Sequence, residues 1–165
     1  MSEPPSRSRV LVADEQSDVA LEVDTWARLA ADVLTEEGVD PSLELALSFI
    51  RPADIAELKA EHLDGDGAPT DVLAFPIDDE PTPGVPGLLG DVLVCPAVAR
   101  DQAETNAGMR TTHDGTLDAE LALLVVHGVL HLLGHDHAGD EDTAAMRARE
   151  EHHLTRWAAA GAATS

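Results

Sequence analysis

The stretch LALLVVHGVLHLLGHDH, residues 121–137, decides the fold that this sequence predicts. Its first six residues are apolar, so the helix that they predict has no polar face and belongs in the interior of the molecule. Histidines follow at positions 127, 131 and 137, and Gly134 lies between the last two. Because histidine is the commonest protein ligand for zinc, the stretch predicts a central helix that carries a metal at its end.

The spacing of the three histidines predicts one chelating site. His127 and His131 are four residues apart, so both rings project from one face of a helix, about 6 Å apart along its axis. If the helix continued, His137 would lie about 9 Å beyond His131, too far to share metal bonds of about 2 Å. Gly134 can end the helix and turn the chain back, because glycine adopts a left-handed conformation without penalty. We therefore expect His127, His131 and His137 to bind one zinc ion that keeps an open, catalytic position.

The residues between these ligands bear on the chemistry. The spacing matches the metal signature of the metzincin proteases, in which a glutamate general base follows the first histidine. Gly128 takes that place here, which argues against peptide hydrolysis. We expect Asp136 to lie close to the metal or to form the turn, and His135 to be exposed or to lie beside the metal. Either side chain could handle a proton in catalysis.

Length and composition limit the remaining possibilities. A chain of 165 residues predicts a single domain over residues 1–165, with disordered tails at about 1–8 and 160–165. No apolar run is long enough to span a membrane, and the start lacks the apolar core of a signal peptide, so we expect a cytoplasmic protein. Cys95 is the only cysteine and is expected to be a buried free thiol. A net charge of −22 repels polyanions and on its own argues against nucleic-acid binding.

Hydrophobic periodicity and turn residues predict four strands and about five helices. This order predicts a small α+β domain: a four-stranded mixed sheet packed with helices, with the metal-bearing helix at the centre. The predicted strands span residues 9–13, 43–50, 72–75 and 88–95, and the predicted helices span 19–37, 52–62, 96–106, the metal-bearing segment after Gly115, and 140–158.

Two aspartates stand where a polar stretch enters a predicted strand. Thr70 or Asp71 can cap a turn, an interpretation that we favour over direct catalysis. Asp91, at the mouth of an apolar strand, can either orient a metal-bound histidine or accept hydrogen bonds from backbone amides. The residues alone do not distinguish these two roles for Asp91.

Three stretches, in this order, resemble the YbeY-type endoribonucleases, bacterial rRNA maturation factors. They are PTDVLAFP at 69–76, LGDV at 89–92 and HGVLHLLGHDH at 127–137, and the resemblance covers about residues 40–158. It implies a single-strand-specific RNA endonuclease that processes the 3′ end of 16S rRNA and acts in ribosome quality control. It further implies one Zn²⁺ per chain held by His127, His131 and His137, with rRNA precursor, the small ribosomal subunit and ribosome-associated proteins as partners, and no membrane.

One position departs from the family pattern. Family members usually carry an arginine shortly before the PTDV stretch, where it faces the phosphate. The matching position here is Leu63 or Asp64, so the phosphate clamp is unassigned. Arg51, Lys59 and Arg110 are cations whose positions the sequence does not give.

The favoured chemistry is metal-assisted phosphodiester hydrolysis, in which zinc polarises a phosphate oxygen and lowers the pKa of its water to about 7. One alternative is a non-catalytic ribosome-assembly factor stabilised by zinc, which a closed fourth coordination position would favour. The other is a metallohydrolase acting on a substrate other than RNA. The sequence leaves open whether water or the ribose 2′-hydroxyl attacks.

Overall fold

The computed structural model describes residues 9–62, 70–77, 87–134 and 140–164. These residues form an α+β domain with a four-stranded mixed sheet and five helices, as the sequence predicts. In chain order the elements are β1 (Val10–Asp14), α1 (Val23–Glu36), β2 (Leu43–Phe49), α2 (Pro52–His62), β3 (Val72–Pro76), β4 (Gly87–Val94), α3 (Pro96–Gln102), α4 (Leu117–Leu132) and α5 (Asp140–Thr164). Five residues singled out above, namely Leu63, Asp64, His135, Asp136 and His137, lie outside the described residues.

The sheet has the strand order β1-β2-β4-β3. The β1–β2 and β2–β4 pairs are parallel, whereas β3 and β4 are antiparallel. In β2 every second side chain, from Leu43 to Phe49, is buried in the main core, because successive side chains of a strand point to opposite faces. Helices α1, α3, α4 and α5 contribute to this core, and α2 packs through Ile55 on the opposite face.

Helix α4 is the buried central helix that the sequence predicts, since twelve of its sixteen residues are buried. Its contact with the sheet depends on Gly128. A Cβ atom at this position would lie 2.7 Å from Cγ1 of Val92 and 3.2 Å from Cγ2 of Val72. Only a residue without a side chain lets α4 approach β3 and β4 this closely.

Position 90, in the LGDV stretch, also requires a glycine for structural reasons. Its φ of +151° is one that residues with a side chain rarely adopt, and a Cβ there would lie 2.3 Å from the carbonyl oxygen of Phe75. Leu88 and Gly90 pair with consecutive residues of β2, so β4 carries a bulge at this point. A Cβ at Gly90 would also lie 2.7 Å from Cδ1 of Leu132, so the glycine lets β4 pass close to the end of α4.

Three helices differ in length from the prediction. Helix α1 begins at Val23 rather than at residue 19, and α3 ends at Gln102 rather than at 106. Residues 103–116 form turns instead, with glycines at 108 and 115 in the left-handed region. Helix α5 continues to Thr164, past the predicted end at 158, so residues 160–164 are helical where the sequence predicted a tail. Among the helices described, none has the length and apolar character needed to cross a bilayer.

Candidate metal centre

His127 and His131 lie on one face at the C-terminal end of α4, as the spacing predicts. Their rings are almost parallel, with an interplanar angle of 5° and centroids 6.3 Å apart. The helix ends at Leu132, and Gly134 follows with a φ of +102° while its N–H donates to the carbonyl of His131. The predicted helix, histidine pair and glycine stop are therefore confirmed. His137 lies beyond the described residues, and within those residues no group of three potential ligands comes together.

A buried carboxylate from a different helix contacts His127. Oε2 of Glu150 lies 2.6 Å from Nδ1 of His127, and the Glu150 side chain is only 1% exposed. Its other oxygen accepts hydrogen bonds from Nε and Nη2 of Arg110, at 3.0 and 2.6 Å. Burial opposes the charge of Glu150, but the hydrogen bonds from His127 and Arg110 outweigh it and lower the pKa of this carboxyl. Glu150 is thus an ionised acceptor, and the Nε2 atom of His127 is the nitrogen suited to a metal.

The turns between α3 and α4 carry Arg110, and a second buried carboxylate fixes them. Glu120, 0% exposed, accepts from Nδ2 of Asn106 at 3.0 Å and contacts Nε2 of His113 at 2.8 Å. Nδ1 of His113 accepts from the N–H of Gly115, so the ring proton lies on Nε2 and is donated to Glu120. Through these bonds α4 itself holds the segment that brings Arg110 to Glu150.

Asp71 lies close to the same histidine. A cavity of about 170 Å³ lies between the 103–116 segment, α4 and the start of β3, and its lining includes Asp71, Arg110, Glu120 and His127. Burial raises the pKa of Asp71, and the charge of Glu120 raises it further, while backbone hydrogen bonds and His127 act in the opposite direction. Asp71 therefore lies at the candidate site. The sequence alone favoured a turn-capping role for Thr70 or Asp71 and did not predict this position.

Asp91 does not join the site. Its neighbour Val92 packs against α4, whereas Leu93 packs with the apolar cluster of α2 on the other face of the sheet. Because side chains alternate along a strand, Asp91 shares the face of Leu93 and points away from the face that α4 covers. Glu150 makes the contact with His127 that the sequence suggested for Asp91.

Of the three cations of unassigned position, only Arg110 lies at this cavity within the part of the chain that the structure describes. Arg51 pairs with Asp54 at 2.9 Å on the exposed surface of α2, and Lys59 belongs to the same helix. Cys95 is a buried free thiol, as expected.

The residues present fit a zinc ion. Two imidazoles share one helix face, and the Nδ1–H group of one of them donates a hydrogen bond to a buried carboxylate, the usual arrangement around a zinc-bound histidine. Sequence reasoning missed Glu150, Glu120 and His113. Only Glu120 left a signal: it is an acid directly before the apolar run 121–126, seven residues before His127 and hence on the same face of α4.

The chain is similar to known proteins over most of its length. A sequence model of the family described as Endoribonuclease YbeY matches residues 11–158. The endoribonuclease YbeY of Mycobacterium sp. (strain KMS) is 38% identical over 152 residues, covering 87% of this chain and 81% of that protein. The endoribonuclease YbeY of Salinispora tropica is 41% identical over 152 residues, covering 86% of this chain and 92% of that protein.

The fold also matches a solved structure. The solution structure of TM1509 from Thermotoga maritima superposes with a TM-score of 0.61 at 22% sequence identity, covering 94% of this chain and 93% of that one. This similarity shows the fold, while the sequence matches show the family. The chain belongs to the YbeY endoribonuclease family.

Proposed function

We propose that this protein is a zinc-dependent, single-strand-specific endoribonuclease that matures the 3′ end of 16S rRNA and acts in ribosome quality control. Its partners would be rRNA precursor and the small ribosomal subunit, in the cytoplasm. The observation that carries the proposal is the parallel pair His127 and His131 at the end of α4, with His127 lining a cavity beside Asp71 and Arg110. Membership of the endoribonuclease family supports RNA as the substrate.

The metal would be held by His127, His131 and His137. When bound, zinc supplies a Lewis acid for the phosphate and lowers the pKa of water to about 7. The chain's own residues would do the rest: Glu150 holds the His127 ring in place, and the carboxylate of Asp71 stands in the cavity where it can accept a proton. Asp136, next to the third ligand in sequence, is a second candidate for handling that proton.

Peptide hydrolysis is disfavoured on packing grounds as well as by sequence. The position at which a metzincin carries its glutamate is Gly128, and even a Cβ atom there would lie 2.7 Å from Val92. The close packing of α4 on the sheet therefore leaves no room for a general base on that residue.

Metal content and RNA cleavage, measured on the same preparations, test the proposal. Purified protein should hold about one zinc per chain and cut a single-stranded 3′-extended rRNA precursor, but not the same sequence in a duplex, and a chelator should stop the cutting. His131→Ala should lose the metal, and His127→Ala should lose cleavage. His62→Ala is the matched control, because His62 is exposed at the end of α2.

Each outcome has a distinct meaning. Full metal content in His131→Ala would overturn the ligand assignment. Cleavage by His127→Ala at the wild-type rate would overturn the nuclease mechanism. Stoichiometric zinc without any RNA cleavage would instead point to a non-catalytic assembly factor that zinc stabilises.

A further inference from the structure

We infer that Glu150 is a positioning residue, whose carboxylate keeps the ring proton of His127 on Nδ1 and so turns Nε2 toward the metal, while Arg110 holds Glu150 in this role. The inference deepens the proposed metal centre and rests on it. It assigns a function to a residue of α5, an element that carries none of the predicted ligands.

The geometry fixes which atom donates. Arg110 donates two hydrogen bonds to Oε1 of Glu150, so this side chain acts as an acceptor, and at the 2.6 Å contact with its Oε2 atom the Nδ1 atom of His127 is the donor. Glu150 is 1% exposed, and its partner ring is 28% exposed. The carboxylate therefore lies in the interior, whereas His127 lines the cavity that Asp71 and Arg110 also line.

Arg110 determines how the carboxylate is oriented. Its Nε and Nη2 atoms both bond to Oε1 of Glu150, the oxygen that His127 does not use. Each oxygen thus has its own partner, and rotation of the carboxylate would break both sets of bonds. The guanidinium consists of donors only, so it will always select an oxygen atom at this position.

The same protein contains a matched carboxylate that does not line the cavity at His127. Glu37, at the end of α1, also bridges one arginine and one histidine of α5: Arg149 at 2.9 Å and His153 at 2.7 Å. If Glu150 merely tied α5 to the rest of the fold, loss of either carboxylate would have the same consequences. If Glu150 positions His127, only its loss will change the metal site.

Glu150→Gln makes the difference measurable. Arg110 should take the amide oxygen, which leaves the amide NH₂ group facing Nδ1 of His127. Nδ1 must then accept a hydrogen bond, so the ring proton moves to Nε2 and occupies the atom that should bind the metal. We expect zinc affinity to fall about 10- to 100-fold, as for other carboxylates that hold a metal-bound histidine.

The experiment uses metal-free full-length protein labelled with ¹⁵N-histidine. At about pH 9, above the usual histidine pKa, two-bond ¹H–¹⁵N correlations report which ring nitrogen carries the proton. We expect Nδ1–H for His127 in the wild type and in Glu37→Gln, and Nε2–H in Glu150→Gln. Zinc affinity, measured by competition with a chromophoric chelator, should fall in Glu150→Gln and stay within about twofold of wild type in Glu37→Gln. Both variants should melt at a lower temperature, so melting alone does not separate the two roles.

Two results would overturn the inference: an Nε2–H tautomer of His127 in the wild type, or wild-type zinc affinity in Glu150→Gln. The wild-type spectrum decides the matter even if Glu150→Gln does not fold. Wild-type protein that binds no zinc would instead overturn the proposed function, whereas an unaltered Glu150→Gln in a protein that does bind zinc would overturn the positioning role alone.

Discussion

Nε2 of His153 lies 2.7 Å from Oε2 of Glu37, and this contact joins α5 to the C-terminal end of α1. His153 is 2% exposed and Glu37 is 10% exposed, so the contact is shielded from water. Arg149, one helical turn earlier in α5, bonds to the same oxygen. Glu37 therefore anchors α5 to the end of α1 through two residues of α5, neither of which lines the cavity at His127.

The anchor predicts sensitivity to acid. Burial lowers the pKa of His153 more than its hydrogen bond to Glu37 raises it, so the folded protein resists protonation of this ring. The unfolded chain takes up the proton as the pH falls through the usual histidine value of about 6.5, and folding stability is lost in that direction. The melting temperature should therefore fall between about pH 8 and about pH 5.5.

If the free energy of unfolding falls by about 1 kcal/mol, the melting temperature of a domain of this size should fall by about 2–4 °C. His153→Gln should remove part of the fall. His152→Gln, at the exposed neighbouring residue, should keep it. An equal fall in wild type and His153→Gln would contradict the prediction.

Gly128→Ala should destabilise the protein by about 1–3 kcal/mol, because the new methyl group meets Val92 and Val72 in a packed core. The better helix propensity of alanine offsets only about 1 kcal/mol of this cost. Urea unfolding measures the difference. Val92→Ala removes the atom that the methyl would strike, so the double variant should be more stable than the sum of the two single changes predicts; strict additivity would refute the contact.

Glu120→Gln should loosen residues 103–116. Every partner of Glu120 is a donor, so an amide NH₂ group in its place must face another N–H, at a cost of about 1–3 kcal/mol. Amide hydrogen exchange at Gly115 should become faster, and zinc affinity should fall because Arg110 is held less firmly. Asp118→Asn, at an exposed residue of the same helix, is the control and should change neither quantity.

The net charge of −22 predicts an unusual salt response. Raising the salt from about 0.1 M to about 1 M shortens the screening length from about 10 Å to about 3 Å and weakens the repulsion between protein and RNA. We expect kcat/KM for a long single-stranded RNA to rise with salt, and to rise less for a short oligonucleotide with fewer phosphates. A steep decline with salt, as basic nucleic-acid-binding proteins show, would contradict this expectation.

The parts of the site that sequence reasoning predicts are local ones. His127, His131 and Gly134 lie within eight residues. The helical repeat and the tendency of glycine to end a helix therefore predict their relative positions without any knowledge of the packing. Glu150 follows His127 by 23 residues, and Arg110 precedes Glu150 by 40. Such contacts depend on how α5 packs on α4, and nothing in a charged helix marks one glutamate out of several as the buried one.

Asp91 shows why the sequence predicts the strands better than it predicts the face of the sheet to which each side chain points. Helices cover both faces of β4, so its sequence is apolar on both sides and the alternation that separates core from solvent is missing. The strand itself could be predicted, but the side to which Asp91 points could not. Here the packing of Val92 on Gly128 settles the face.

The contact between Gly128 and Val92 also limits which substitutions this chain can accept. A change of Gly128 to glutamate would complete the zinc peptidase signature, yet the first atom of the new side chain already collides with β4. Room for it requires prior changes in Val92 and Val72, and each of these on its own leaves a cavity in the core. Packing of α4 on the sheet therefore opposes a change from RNA cleavage to peptide hydrolysis, although both reactions would use the same spacing of metal-binding histidines.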